Sequence, residues 1–131
     1  MHRVLLVDDD PSNLKALEQL VRRRGWEPVV AESGPEALGL VAGADAVVTD
    51  FSMPGMNGLE LVAALRAHDD ALPVILVTGE DRLAREARRA GAYDYLTKPF
   101  DADELQMALD RALEARGLRL ELRRLRAAAA A

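Results

Sequence analysis

Five short apolar runs punctuate the chain at Val4–Val7, Glu27–Ala31 with Val29 and Val30 at its centre, Ala46–Thr49, Val74–Val77 and Tyr93–Leu96. Three of them are almost uninterrupted Val, Leu and Ile. A strand that shows one face to water alternates apolar with polar residues; a strand buried on both faces does not. Helical patterns fill the gaps. Asp10-Pro11 reads as an N-cap with proline at the first helical position, followed by Leu14, Leu17, Leu20 and Val21, with Gly25 as a stop. Ser33-Gly34-Pro35-Glu36 has the form of a capping box ahead of Leu38 and Val41. Leu61, Val62 and Leu65 mark a third helix. Leu83, Ala84, Ala87 and Ala90, ending at Gly91, mark a fourth. Asp101 with Glu104 caps a fifth, which carries Leu105, Ala108 and Leu109. Strand and helix alternate five times, and each crossover is long enough for a right-handed βαβ unit. These features predict an open parallel sheet with helices on both faces. Ligands of such sheets bind beyond the carboxyl ends of the strands.

With 131 residues, the chain is long enough for one core but not two. Its net charge of −5 argues against a general nucleic-acid or membrane-binding surface, which needs a basic face. The absence of cysteine excludes disulfides and thiolate metal sites and fits a reducing compartment. The apolar run after Arg3 is too short for a signal-peptide core or a membrane span. A cytoplasmic location is the expectation.

Polar residues gather at the predicted strand ends. Asp8, Asp9 and Asp10 follow the first strand, and Asp50 ends the third. Thr78 ends the fourth, and Thr97, Lys98 and Pro99 follow the fifth. Taken singly, each has an ordinary explanation. Asp10 is the helix cap, Asp8 or Asp9 alone is a cap or turn residue, and Lys98-Pro99 alone is a solvated lysine before a turn. Taken together on one rim, Asp8, Asp9 and Asp50 form a crowd of like charges that needs a counter-charge or a retained proton. Lys98 supplies one positive charge, and a divalent metal would supply two. Few ligands, all oxygen, suit Mg²⁺. A carboxylate beside Mg²⁺, an ammonium and a hydroxyl is a sensible site for phosphoryl transfer, with Asp50 as the nucleophile.

The segments "LLVDDDPSN", "VVTDFSMPGMNGLEL", "PVILVTGE" and "GAYDYLTKPF" strongly resemble the receiver domain of two-component response regulators, in that family's order and spacing, from residue 4 to about 113. The resemblance implies a flavodoxin-like (βα)5 doubly wound sheet with strand order 2-1-3-4-5. It implies that Asp50 accepts a phosphoryl group from a histidine kinase or phosphotransfer protein. It assigns Asp8 and Asp9 to a Mg²⁺ pocket, with Asp9 the more direct ligand and the Ser52 backbone carbonyl completing the protein's share. Thr78 becomes the switch hydroxyl, and Lys98 the lysine that pairs with the phosphoryl group. Tyr95 becomes the switch aromatic, although a strand aromatic packed at an edge is its default reading. A cis Lys98–Pro99 bond is implied as well. Asn57 stands where the family often has Asp, and Asn is a competent cap.

The surface expected to change on phosphorylation is that of helix 4, strand 5 and helix 5. Helix 4 carries Arg82, Arg85, Arg88 and Arg89 beside Glu86, a run that is most often a solvated face. Residues 1–116 read as the receiver and 117–131 as a helical linker leading to an output domain beyond this sequence. Leu118, Leu122 and Leu125 follow a coiled-coil-like spacing that suggests a homodimer, with Gly117 expected to interrupt the helix. Direct nucleic-acid or membrane binding by this segment is not expected. Two other readings compete. A Mg²⁺-dependent phosphohydrolase would use Asp8 of the Asp8-Asp9-Asp10 run as nucleophile, but it leaves "MPGMNG" and "TKPF" unexplained. A receiver-like interaction module that never carries phosphate would not need the complete set of Asp, Thr and Lys.

Overall fold

The computed structural model describes residues 1–130. Five strands, β1 (Arg3–Val7), β2 (Glu27–Ala31), β3 (Ala46–Asp50), β4 (Val74–Thr78) and β5 (Asp94–Thr97), alternate with α1 (Pro11–Arg23), α2 (Gly34–Leu40), α3 (Gly58–His68), α4 (Ala84–Ala90) and α5 (Ala102–Ala130). All strand pairs are parallel and the order is β2-β1-β3-β4-β5. This is the doubly wound, flavodoxin-like arrangement the sequence leads one to expect.

Strand alternation divides the core in two. Leu5, Val7, Val47, Val74 and Leu76 face one way and pack with Ala37, Leu61, Val62, Leu65 and Ala87. Val4, Leu6, Val48, Ile75 and Val77 face the other way, against Leu14, Val21, Leu105 and Leu109. Residues on successive positions of β1, β3 and β4 are thus buried on opposite faces, which is why those strands read as unbroken apolar runs. Each fully buried Leu or Val contributes about 1.5–3 kcal/mol by leaving water, so the central strands dominate the stability.

The helix starts follow their caps. The Asp10 carboxylate accepts from Ser12 N at 2.9 Å, with Pro11 in the first helical position. Ser33 Oγ accepts from Glu36 N at 3.2 Å. Asn57 and Glu60 form a reciprocal capping box at 2.9 and 3.0 Å, and Asp101 accepts from Glu104 N at 2.8 Å. Helix α4 stops at Gly91, whose φ of +103° suits a residue without a Cβ.

Three details differ from the sequence reading. β5 runs Asp94–Thr97 rather than Tyr93–Leu96; it is an edge strand of half-buried residues, so hydropathy marks its ends poorly. A 3-10 turn, Asp81–Leu83, precedes α4. Gly117 does not interrupt α5, which continues to Ala130. One helical glycine costs only about 1 kcal/mol, and the surrounding Leu, Glu and Arg favour helix.

Candidate functional site

Strand register brings the polar residues to one edge. Val7 pairs with Thr49, so Asp8 follows β1 at the level where Asp50 ends β3. Asp50 pairs with Val77, and Thr78 with Thr97, so Thr78 lies one step beyond Asp50 on β4, and Lys98 one further step out after β5. Lys98 N donates to Thr78 O at 2.8 Å, closing the edge.

Asp8, Asp50 and Thr78 are buried, whereas Asp9 is exposed. Carboxylate oxygens of Asp8, Asp9 and Asp50 lie within 4.8 Å of one another. Lys98 Nζ sits 2.8 Å from Asp50 Oδ1. Asp8 is further held by two donors, Asp10 N at 2.9 Å and Asn13 Nδ2 at 3.2 Å. Burial raises the Asp8 carboxyl above its ordinary value and the Asp50 charge adds to the rise, while the Asp10 N–H, Asn13 and Lys98 oppose it. With all three carboxylates ionised, one ammonium leaves two negative charges uncompensated. An oxygen-only donor set with that residual charge fits a hard divalent cation such as Mg²⁺.

The turn after Asp50 is shaped by close backbone contact. Phe51 N donates to Val77 O at 2.9 Å, and Gly58 N donates to Phe51 O at 2.8 Å. A Cβ on Gly58 would lie 2.5 Å from the Asp50 carbonyl oxygen and 2.7 Å from Phe51 Cα, so only glycine lets α3 begin this close to the strand tip. Gly55, at φ +74°, turns the loop between them. Ser52 lies exposed in this turn, two residues past Asp50.

The loop after β4 is tied to β5. Thr78 Oγ1 accepts from Glu80 N at 3.1 Å. The Tyr95 hydroxyl donates to the Glu80 carbonyl, and Thr97 Oγ1 is 2.9 Å from Asp81 Oδ1. Burial and the Asp81 carboxylate raise the Tyr95 phenol, which therefore remains a donor. Thr78 thus holds the backbone N–H of Glu80 and Tyr95 its carbonyl. The Lys98–Pro99 peptide is cis, as the resemblance implied.

The site residues singled out from the sequence, Asp8, Asp9, Asp50, Ser52, Thr78, Tyr95 and Lys98, lie at this edge or in the segments beside it. Asn13, the Gly58 contact and the Asp81–Thr97 bond were not singled out. Asn13 looks like any polar residue in a first helical turn. The other two arise between segments that only the fold brings together.

Over residues 4–110 the chain matches the response regulator receiver domain family. It belongs to that family. The C4-dicarboxylate transport transcriptional regulatory protein DctD of Pseudomonas aeruginosa is 44% identical over 98% of this chain, but over only 29% of its own length. Regulatory protein AtoC of Escherichia coli is 39% identical over 95% of this chain and 28% of its own length. The chain therefore spans less than a third of these relatives. A response regulator receiver domain protein from Clostridium thermocellum has a TM-score of 0.85 at 29% identity, covering 90% of this chain and 98% of that one. Response regulator TrrA of Thermotoga maritima, solved in complex with Mg²⁺ and BeF, has a TM-score of 0.80 at 32% identity, covering 86% of this chain and 100% of that one. Receiver domains generally bind Mg²⁺ at an acidic pocket, and in this receiver the Asp8, Asp9 and Asp50 cluster has the matching chemistry. The relatives' printed names describe regulatory proteins.

Proposed function

We propose that this receiver is a switch thrown by phosphorylation of Asp50. The observation that carries the reading is the contact of Lys98 Nζ with Asp50 Oδ1 at 2.8 Å, beside two further carboxylates on the same rim. The phosphodonor is a phosphohistidine on a kinase or phosphotransfer protein. An Asp50 carboxylate oxygen attacks the phosphorus, the P–N bond breaks as the P–O bond forms, and the leaving imidazole takes a proton from solvent. Asp8, Asp9, Asp50 and the Ser52 backbone carbonyl are the groups that would hold Mg²⁺, whose charge offsets that of the transferring group. Lys98 moves from the bare carboxylate to a phosphoryl oxygen, and Thr78 Oγ1 donates to another. A groove of about 590 Å³ runs from Asp8 and Lys98 past Leu17, Leu20 and Phe100, giving a donor protein an approach to the site.

The aspartyl phosphate carries about 1.5–2 negative charges where a single carboxylate charge stood. Thr78 is drawn toward it, and because Glu80 is shared with Tyr95, the aromatic ring and the loop leading to α4 respond together. The altered α4–β5–α5 face controls an output, which the name of DctD as a transcriptional regulatory protein suggests is transcription. Residues 1–116 form the switch and 117–131 the lead to that output, helical through Ala130, with residue 131 outside the described residues. The exposed Leu118, Leu122 and Leu125 offer a seam for a second copy.

Amide NMR spectra with Mg²⁺ and beryllofluoride test the reading. Expected are shifts at Asp50, at Thr78–Leu83 and at Tyr95 that vanish in Asp50→Ala. Shifts confined to the neighbourhood of Asp8, and retained in Asp50→Ala, would overturn it.

A further inference from the structure

The last buried residue of α5 is Leu113, yet the helix runs on to Ala130 with Leu118, Leu122 and Leu125 between 47% and 66% exposed. Apolar packing does not hold this extension, and an isolated helix of such length is marginal in water. Its contacts to the domain are ionic. The Arg116 guanidinium lies between Asp45, just before β3, at 3.6 Å and Asp69, the C-cap of α3, at 3.2 Å. Two turns further along, Arg123 bonds Asp69 at 3.0 Å and Asp70 at 2.6 Å. Between them Arg119 stacks over the Tyr93 ring with its Cζ 5.5 Å from the centroid. Arg116, Arg119 and Arg123 share one face of the helix, and the exposed leucines lie on another.

We propose that Asp45, Asp69 and Asp70 form an ionic latch that grips the arginine stripe of α5, fixes the direction in which the chain leaves the receiver, and sets which way the Leu118–Leu125 stripe faces. A single exposed ion pair would be too weak for this. Here Asp69 is shared by two arginines, and the Arg116 and Asp69 side chains are only 16% and 23% exposed, so solvent screens the network incompletely. The latch lies at the opposite end of the sheet from Asp50 and shares no residue with the phosphorylation site.

Amide hydrogen exchange on the whole chain tests it. Asp69→Asn keeps the acceptor for Ala71 N, now bonded at 3.0 Å, and removes the charge. Combined with Arg123→Gln, it is expected to speed exchange across residues 117–126 by about tenfold, the scale of one lost charge-assisted contact. Arg123→Lys on the native background recovers most of the protection. Arg124→Gln, which breaks only the local pair with Glu121, leaves it unchanged. The melting temperature of the domain and beryllofluoride binding stay as in the parent, separating release of the helix from unfolding. Unchanged exchange in the double variant, or equal acceleration in Arg124→Gln, would overturn the latch.

Discussion

The Asp50 carbonyl and Gly58 meet at one point, and the contact limits what can stand at position 58. A Cβ at position 58 would lie 2.5 Å from the Asp50 carbonyl oxygen and 2.6 Å from Leu76 Cδ1. Alanine would ordinarily favour a helix start over glycine by up to about 1 kcal/mol. Overpacking against backbone costs about 1–3 kcal/mol, so the clash wins. Gly58→Ala is expected to lower the melting temperature by several degrees, and a variant as stable as the parent would show that the turn can relax. Lys98 makes a second residue-scale prediction. Its loss removes a charge-assisted contact worth about 1.5–3 kcal/mol, so Lys98→Ala should slow labelling of Asp50 by about 10- to 100-fold with the fold intact, read as initial rates with a small-molecule phosphodonor. At this scale the sequence was most informative where motif and rim coincided, as for Asp8, Asp50, Thr78 and Lys98. It was silent on Asn13, whose bond to Asp8 depends on how α1 leaves the strand.

Among the elements, legibility followed burial. β1, β3 and β4 are covered on both faces, so their hydropathy alone outlined them to within a residue. β5 lies at an edge with half-buried residues, and its reading was displaced by one. Helix starts were legible because caps are local. Asn57→Ala, which removes one half of the α3 capping box, should cost about 1 kcal/mol in denaturant unfolding, and no loss would mean that Glu60 alone suffices. The helical tail was read from the sequence, but its unbroken run through Gly117 was not, because what holds the extension is a set of partners far away in sequence. Burial alone would raise the Asp69 carboxyl, but the Ala71 N–H and the Arg123 and Arg116 guanidinia outweigh it and bring it from 3.8 to about 2. A carboxyl depressed in the folded state contributes stability above its unfolded value and loses it as pH falls through the folded one. Asp45, Asp70, Arg66, His68, Arg116 and Arg123 surround the same turn. The α5 extension is therefore expected to stay protected near neutral pH and to loosen between 3.8 and about 2, measured as exchange rates corrected for their intrinsic pH dependence. Loosening already above pH 5 would point to a different group.

The whole molecule has a site at one end of its sheet and an ionic grip on its exit helix at the other. Among the described residues no helix is long and apolar enough to cross a membrane. Leu118, Leu122 and Leu125 leave an apolar stripe open to solvent, and sedimentation with and without beryllofluoride is expected to reveal a concentration-dependent dimer lost in a Leu122→Glu variant. A monomer in every condition would remove the stripe from the account. The central claim concerns Asp50, and its most direct measurement is site mapping of a covalent adduct. The protein is incubated with Mg²⁺ and a small phosphodonor, the acyl phosphate is trapped by reduction, and the modified residue is located by mass spectrometry. The expected result is one phosphoryl group per chain, on Asp50, abolished by Asp50→Ala and by chelation of the metal. Label on Asp8, multiple-turnover release of phosphate without an Asp50 adduct, or no adduct with any donor would contradict it.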